Sequence, residues 1–341
     1  MSLYPWQLNA WQQLNKDKQR MPHALLFHGR AGTGKLSFAQ HLSQSLLCSA
    51  PNENQEACGV CASCHWFLEE SHPDFKVLTP EQDGEPEEGA PAKKLKKKTQ
   101  ISVTQIRELS QFLNMTSHQQ GGLRIILVQP AESLNTASAN ALLKMLEEPA
   151  AGVLFILVSH QIERLLPTIL SRCQKIALPL PAEAESLAWL NGQGILNAAE
   201  QLAYYDSSPL KVLQEQGQYP QIKGLWQMLA MGAKLNPYTA ATGLLSSFSS
   251  VNLPPAYAVE ASITALQKWI YDILASKLTR NVRYHPQHTK TFQALAENVN
   301  LSLIFSMQKE LLELRKLASH PLNHELQIER LLFDYTKLFK G

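Results

Sequence analysis

Charge is what this chain has least of. Charged residues make up 18% of it, against roughly a quarter in an ordinary globular protein. They nearly cancel, leaving a formal net charge of +2. So small an excess does not by itself attract nucleic acid or a membrane, and the shortage implies a surface covered by partners or built from neutral polar groups. No apolar run approaches the roughly 18 residues of a membrane span, and the start, MSLYPWQLNAWQQL, has neither the basic opening nor the apolar stretch of a signal peptide. A soluble cytoplasmic protein is expected. Cysteine is sparse, at five, and in a reducing compartment that favours metal ligation or free thiols over disulfides. The 341 residues are enough for two or three domains with a sizeable core.

Two further absences concern chemistry. The apolar run 24–27 leads into Gly29, Arg30, Ala31, Gly32, Thr33, Gly34, Lys35 and Leu36, a GxxxxGK pattern opening a helix. In such a P-loop the glycines let backbone N–H groups wrap phosphate, the helix N-terminus favours negative charge, and the lysine reaches the terminal phosphates. Gly29, Gly32, Gly34 and Lys35 are therefore the candidate nucleotide-binding residues. Leu36, however, stands where Ser or Thr would offer Mg²⁺ a hydroxyl. Ser37 comes one position late, about 100° further round the helix. Farther on, 125–128 reads as a strand buried on both faces. Its tip, where an acidic pair would hold Mg²⁺ and polarise water, is Gln129 and Pro130, neither of them anionic. ATP binding is doubtful on these grounds. Phosphate binding without hydrolysis and a purely structural relic are equal alternatives.

What is present is organised around these gaps. Cys48, Cys58, Cys61 and Cys64 are spaced C-x9-C-x2-C-x2-C, so overlapping turns place three thiolates on one side of a knuckle and Cys48 closes a tetrahedron. That predicts a closed structural Zn²⁺ site with no position left for a catalytic water; His65 and His72 are not needed as ligands. The first twenty residues suggest an amphipathic helix with Trp6, Leu8, Trp11 and Leu14 on its apolar side. Residues 79–100 carry five acids followed by five lysines and almost no apolar residue, the pattern of a disordered surface loop. A helix is expected from 101, another after Asn135 or Thr136 with Ala139, Leu142, Leu143 and Leu146 on one face and Pro149 as its stop. Further strands are expected at 74–78, 153–158 and 174–178. Five short strands alternating with helices indicate a three-layer α/β domain ending near 178. Pro179 and Pro181 mark a linker. Beyond it the pattern is helical, with long apolar stripes such as Ile263, Leu266, Ile270, Ile273 and Leu274. His285, His288 and Lys290 read as a weak basic patch on solvated surface, and Cys173 as a small buried packing residue.

Together HALLFHGRAGTGK, the four-cysteine insertion, SHPD at 71–74, NALLKMLEEP at 140–149 and PTILSRC at 167–173 resemble the clamp-loader branch of the AAA+ proteins, over most of the chain. The resemblance implies an AAA+ parallel-sheet domain over 1–178 with a zinc insertion at 48–64, a small helical lid over 179–216, and an all-α collar over 217–341 through which subunits form a ring. Gln129 and Pro130 replace the family's acidic pair, Leu36 its hydroxyl, and Leu210 stands where ATP-binding relatives carry a nucleotide-sensing arginine. An intact knuckle beside a broken ATP site resembles a non-catalytic subunit. The implied partners are clamp-loader ATPase subunits of the gamma/tau type and a delta-type subunit in a hetero-pentamer, with the sliding clamp and primed DNA reached through the complex. The implied setting is a DNA-directed DNA polymerase holoenzyme. Arg172 of the SRC motif is then expected to point into a neighbour's ATP site, where a guanidinium stabilises charge on the γ-phosphate, an effect of roughly 10³ to 10⁵ in rate. Spacing alone would make Arg172 an interface or surface salt-bridge residue. The alternatives are an active AAA+ ATPase recruiting an acid such as Glu132, and a stand-alone zinc-dependent DNA-binding protein, against which the weak net charge argues.

Overall fold

Runs such as Ile125, Ile126, Leu127 and Val128 carry apolar side chains on both faces, so each strand they form must be covered on both sides. The computed structural model, which describes residues 3–16, 21–81, 100–114, 122–253, 255–317 and 323–339, shows this arrangement. Strands β1 (Ala24–His28), β2 (Phe75–Leu78), β3 (Arg124–Val128), β4 (Val153–Ser159) and β5 (Gln174–Ala177) form one parallel sheet in the order β2-β3-β4-β1-β5. The central β4 is buried along its whole length. Of the charged run at 79–100, residues 82–99 lie outside the described residues.

Helices α1 (Leu8–Lys16), α2 (Lys35–Leu47) and α3 (Ala62–Leu68) bring Trp11, Phe38, Leu42 and Phe67 against Phe27, Leu127 and Ile156 on one side of the sheet. Helices α4 (Val103–Asn114), α5 (Thr136–Glu147) and α6 (Pro167–Leu170) bring Ile106, Leu109, Leu142 and Ile169 against Ile126, Phe155 and Leu157 on the other. The result is the expected three-layer α/β sandwich. In α5 the Asn135 side chain accepts the Ser138 N–H at 2.9 Å, an N-cap that satisfies an otherwise orphaned donor, and Ala139, Leu142 and Leu146 are buried.

The first helix is shorter than its pattern suggested. Pro5–Gln7 is a 3₁₀ turn and only Leu8–Lys16 is α-helical. Trp11 and Leu14 are buried, but Leu8 is 49% exposed and Trp6 is drawn into a hydrogen bond described below. Trp6 and Leu8 therefore do not belong to the core-facing stripe: Trp6 lies in the 3₁₀ turn, outside the α-helical register, and Leu8, the first residue of α1, faces solvent.

The chain divides into two compact units, Met1–Pro181 and Ala182–Gly341. The second is helical throughout its described residues: α7 (Glu183–Gly192), α8 (Ala198–Tyr204), α9 (Pro209–Glu215), α10 (Tyr219–Leu229), α11 (Pro237–Ser249), α12 (Pro255–Thr279), α13 (Thr289–Glu297), α14 (Leu301–Leu317) and α15 (His324–Lys337). Ile263, Leu266, Trp269, Ile270 and Ile273 of α12 lie at its centre, in one apolar cluster with Leu190, Leu202 and Val212 of α7, α8 and α9. His285 is no surface residue: it is fully buried, its Nδ1 2.8 Å from Asp272 Oδ2, and the same carboxylate accepts the backbone N–H groups of Arg283, Tyr284 and His285. Trp226, Trp269 and Phe292 pack around the ring. A buried aspartate on α12 supplies the acceptor that lets this polar ring enter an aromatic core.

Candidate functional site

The four cysteines are brought together by the end of α2, the loop after it, and the start of α3. Their ligand atoms all lie within 4.8 Å of one another, with Sγ separations of 3.6 Å for Cys48 to Cys58, 3.8 Å for Cys48 to Cys61 and 4.0 Å for Cys58 to Cys64. A tetrahedral ion with bonds of about 2.3 Å sets its sulfurs about 3.8 Å apart, so this donor set fits a structural Zn²⁺ held by thiolates. Backbone N–H groups support the charge: Cys58 N–H donates to Cys48 Sγ at 3.3 Å and Cys64 N–H to Cys61 Sγ at 3.4 Å. Burial opposes ionisation at Cys61, but hydrogen bonds from Ser49 and the Cys64 backbone outweigh it and bring that thiol to about 5. Burial pushes the Cys64 thiol up to about 12, and bound metal would reverse this. His72 is not among the clustered donors. Its Nε2 donates to Ser63 Oγ at 2.9 Å, Ser63 donates to the Leu47 carbonyl at 2.6 Å, and its Nδ1 accepts the Asp74 N–H at 3.0 Å. His72 thereby ties the knuckle helix to the end of α2 and to the approach of β2, as a brace and not a ligand.

At the P-loop, Gly29 has φ 143° and its Cα faces the Leu178 carbonyl so closely that a Cβ could not be placed there. Gly34 has φ 82°, and a Cβ on it would lie 2.7 Å from both Gln7 Nε2 and the Tyr4 ring. The N-terminal turn is thus laid over the loop. Gln7 Nε2 donates to the Thr33 carbonyl at 3.0 Å and to the Gly34 carbonyl at 2.9 Å, and Trp6 Nε1 to the Thr33 carbonyl at 3.0 Å. Nothing in the apolar periodicity pointed to Gln7, which is buried for its amide and not for apolar area. Lys35 is 2% exposed and donates to the Arg30 carbonyl at 2.5 Å. Burial brings its ammonium to about 8, with the Glu132 charge pulling the other way. Glu132 sits in the turn after β3, its Oε1 accepting the His160 N–H at 3.0 Å and its Oε2 buried without a hydrogen-bond partner among the described residues. Gln129 and Pro130, joined by a cis peptide, occupy the strand tip.

Arg172 follows α6 on the surface of the first unit. Its Nη1 donates to the Thr168 carbonyl at 2.9 Å and its Nη2 lies 2.5 Å from Glu147 Oε1. Cys173 beside it is buried, and burial raises its thiol to about 11, which suits packing and not reactivity. Leu210, in α9 of the second unit, is buried.

Residues 6–182 match the family model described as DNA polymerase III, delta subunit. DNA polymerase III subunit delta′ of Pseudomonas aeruginosa is 35% identical over 344 residues, covering 98% of each chain. The subunit of the same name from Yersinia pestis is 39% identical over 196 residues, covering 57% of this chain and 53% of that one. Among solved structures, a DNA polymerase III gamma subunit-related protein from Thermotoga maritima is 17% identical, with a TM-score of 0.45 over 96% of this chain and 99% of the other.

Proposed function

The chain belongs to the family of DNA polymerase III delta-prime subunits, and from that premise we propose that it is a non-catalytic member of the loader that places a sliding clamp on primed DNA. Its work is geometric. Its own nucleotide site has Leu36 in place of a hydroxyl and Gln129 and Pro130 in place of carboxylates, and an N-terminal turn rests on the P-loop. Arg172 carries the proposal. Its side chain is 32% exposed, and one surface carboxylate, the Thr168 carbonyl and the Ser171 hydroxyl hold it, contacts weak enough at the surface for it to turn toward a neighbouring γ-phosphate. Gamma/tau-type ATPase subunits and a delta-type subunit complete the hetero-pentamer. Residues 179–216 act as lid and 217–341 as collar. Zn²⁺ on Cys48, Cys58, Cys61 and Cys64 closes the knuckle and takes no part in chemistry, and the site of action is the cytoplasm. No helix among the described residues is long and apolar enough to cross a membrane.

The test is clamp- and DNA-stimulated ATP turnover by the reconstituted loader with Arg172→Ala. A large loss with assembly intact supports a trans-acting arginine; unchanged turnover reduces Arg172 to a surface ion pair. A second reading, an active ATPase, draws on the half-buried Glu132, whose charge acts on Lys35. It requires Mg²⁺-dependent turnover by the isolated chain that Glu132→Gln abolishes.

A further inference from the structure

Between Lys35 and Lys76 the chain has no lysine or arginine, while it has Glu53, Glu56, Glu69, Glu70 and Asp74. The knuckle lies inside this window. Asp74 is buried and Glu56 is paired within the module, its Oε1 3.8 Å from His41 Nε2, which leaves Glu53, Glu69 and Glu70 at the surface. A divalent ion on four thiolates would add net negative charge here, not offset it.

Helix α3 buries Ser63, Cys64 and Phe67. On the opposite side Ala62, His65, Trp66 and Glu69 recur at i, i+3, i+4 and i+7, all exposed. Trp66 is 42% exposed, anchored at one edge by the His72 ring at 6.0 Å, and Val60 and Leu68 are 77% and 53% exposed. A large exposed aromatic on so small a module is an unusual use of surface.

We propose that this face, with Trp66 as its apolar contact and Glu69 and Glu70 as the charged rim, docks a lysine- or arginine-rich amphipathic segment of a protein partner. The charge selects the occupant. A nucleic acid would meet carboxylates on this helix face, and the segment 36–75 supplies no lysine or arginine to displace its counterions. A second copy of the same face would set glutamates against glutamates, which costs affinity across a two-fold contact. A basic helix with apolar residues along one side satisfies both the rim and Trp66. This surface is separate from Arg172 and the P-loop, so it stands or falls apart from the reading above.

The experiment uses the full, zinc-loaded chain and a synthetic amphipathic helix of leucine and lysine. The controls are the same peptide with serine for leucine, the same with glutamate for lysine, and single-stranded and duplex DNA at equal salt. Affinity is measured by calorimetry and the footprint by hydrogen exchange. The expected result is protection across 59–70, with Trp66→Ala and the double change Glu69→Lys with Glu70→Lys each weakening binding about tenfold or more at unchanged zinc content. Should Trp66→Ala lower the melting temperature, the double change at exposed positions decides alone. Equal binding by the serine peptide, tighter binding by DNA, protection elsewhere, or insensitivity to the double change would each overturn the proposal.

Discussion

Arg172 and Glu147 form an ion pair that joins the turn after α6 to the last turn of α5, Nη2 to Oε1 at 2.5 Å, with the two side chains 32% and 49% exposed. Such a pair adds about 1 kcal/mol at most, because water and salt screen it and two long side chains lose freedom. Its geometry is therefore easily exchanged for a better anion.

That exchange can be separated from folding. Glu147→Gln is expected to change the free energy of unfolding by less than about 1 kcal/mol and to leave loader turnover largely intact. Arg172→Ala is expected to be as mild for stability but to lower turnover by roughly 10³ or more. Denaturant titration and turnover of the assembled complex measure both. Equal losses from the two substitutions would mean that the pair, and not the free arginine, matters.

Metal content checks the knuckle. The purified chain is expected to carry one zinc ion by elemental analysis, and Cys61→Ser to lose it. Chelation should raise hydrogen exchange across 48–72, where the thiols supply most of the closure. It should spare β1, β3 and β4, whose side chains remain packed between the two helical layers. Uniform loss of protection would show that the knuckle and sheet unfold as one.

Lys35 tests whether the P-loop is used. Its folded value of about 8 lies below the ordinary 10.5, so the cost of burying its charge is present in full below pH 8 and fades as pH rises toward 10.5. Lys35→Met removes that cost and one hydrogen bond to Arg30, so stability at neutral pH should hold or rise, by no more than about 2 kcal/mol. Loader turnover should be unchanged. A loss of turnover at unchanged stability would restore a role for the loop in binding phosphate.

The Asp272–His285 pair predicts an acid limb. Burial lowers the His285 pKa from 6.5, with the Asp272 hydrogen bond opposing it, and burial also lowers those of His28, His72, His160 and His288. Below 6.5 the unfolded imidazoles take up protons that the folded ones refuse until lower pH. Stability is therefore full above 6.5 and falls as pH drops toward the folded values. Denaturant midpoints measured between about pH 7.5 and 5.5 should fall. Asp272→Asn, which leaves N–H donors without their carboxylate, should cost about 3 kcal/mol throughout; a flat pH profile would contradict the assignment.

The knuckle could be read from spacing because its four ligands lie within seventeen residues, Cys48 to Cys64, and short loops leave few ways to arrange them. The strands could be read because a run apolar on both faces has no other stable place. His285 could not be read correctly: its partner Asp272 is 13 residues away across a turn, and a histidine among charged and polar neighbours resembles surface until the aromatic rings around it are known. Gln7 escaped for a like reason. It reaches Gly34 across 27 residues, and no periodicity marks a side chain buried for its hydrogen bonds.

By itself the sequence determined the layers of the first unit, the cysteine knuckle, the missing acids and hydroxyl at the P-loop, and the position of Arg172 in its motif, because each is set by residue type at short spacing. Tertiary structure alone decided what lies against these parts: Glu147 on Arg172, Gln7 and Tyr4 on the P-loop, Glu132 beside Lys35, Asp272 beneath His285, and Trp66 turned outward on the knuckle. Those contacts join segments far apart along the chain, and packing and hydrogen-bond satisfaction choose among many partners that local pattern treats as equal.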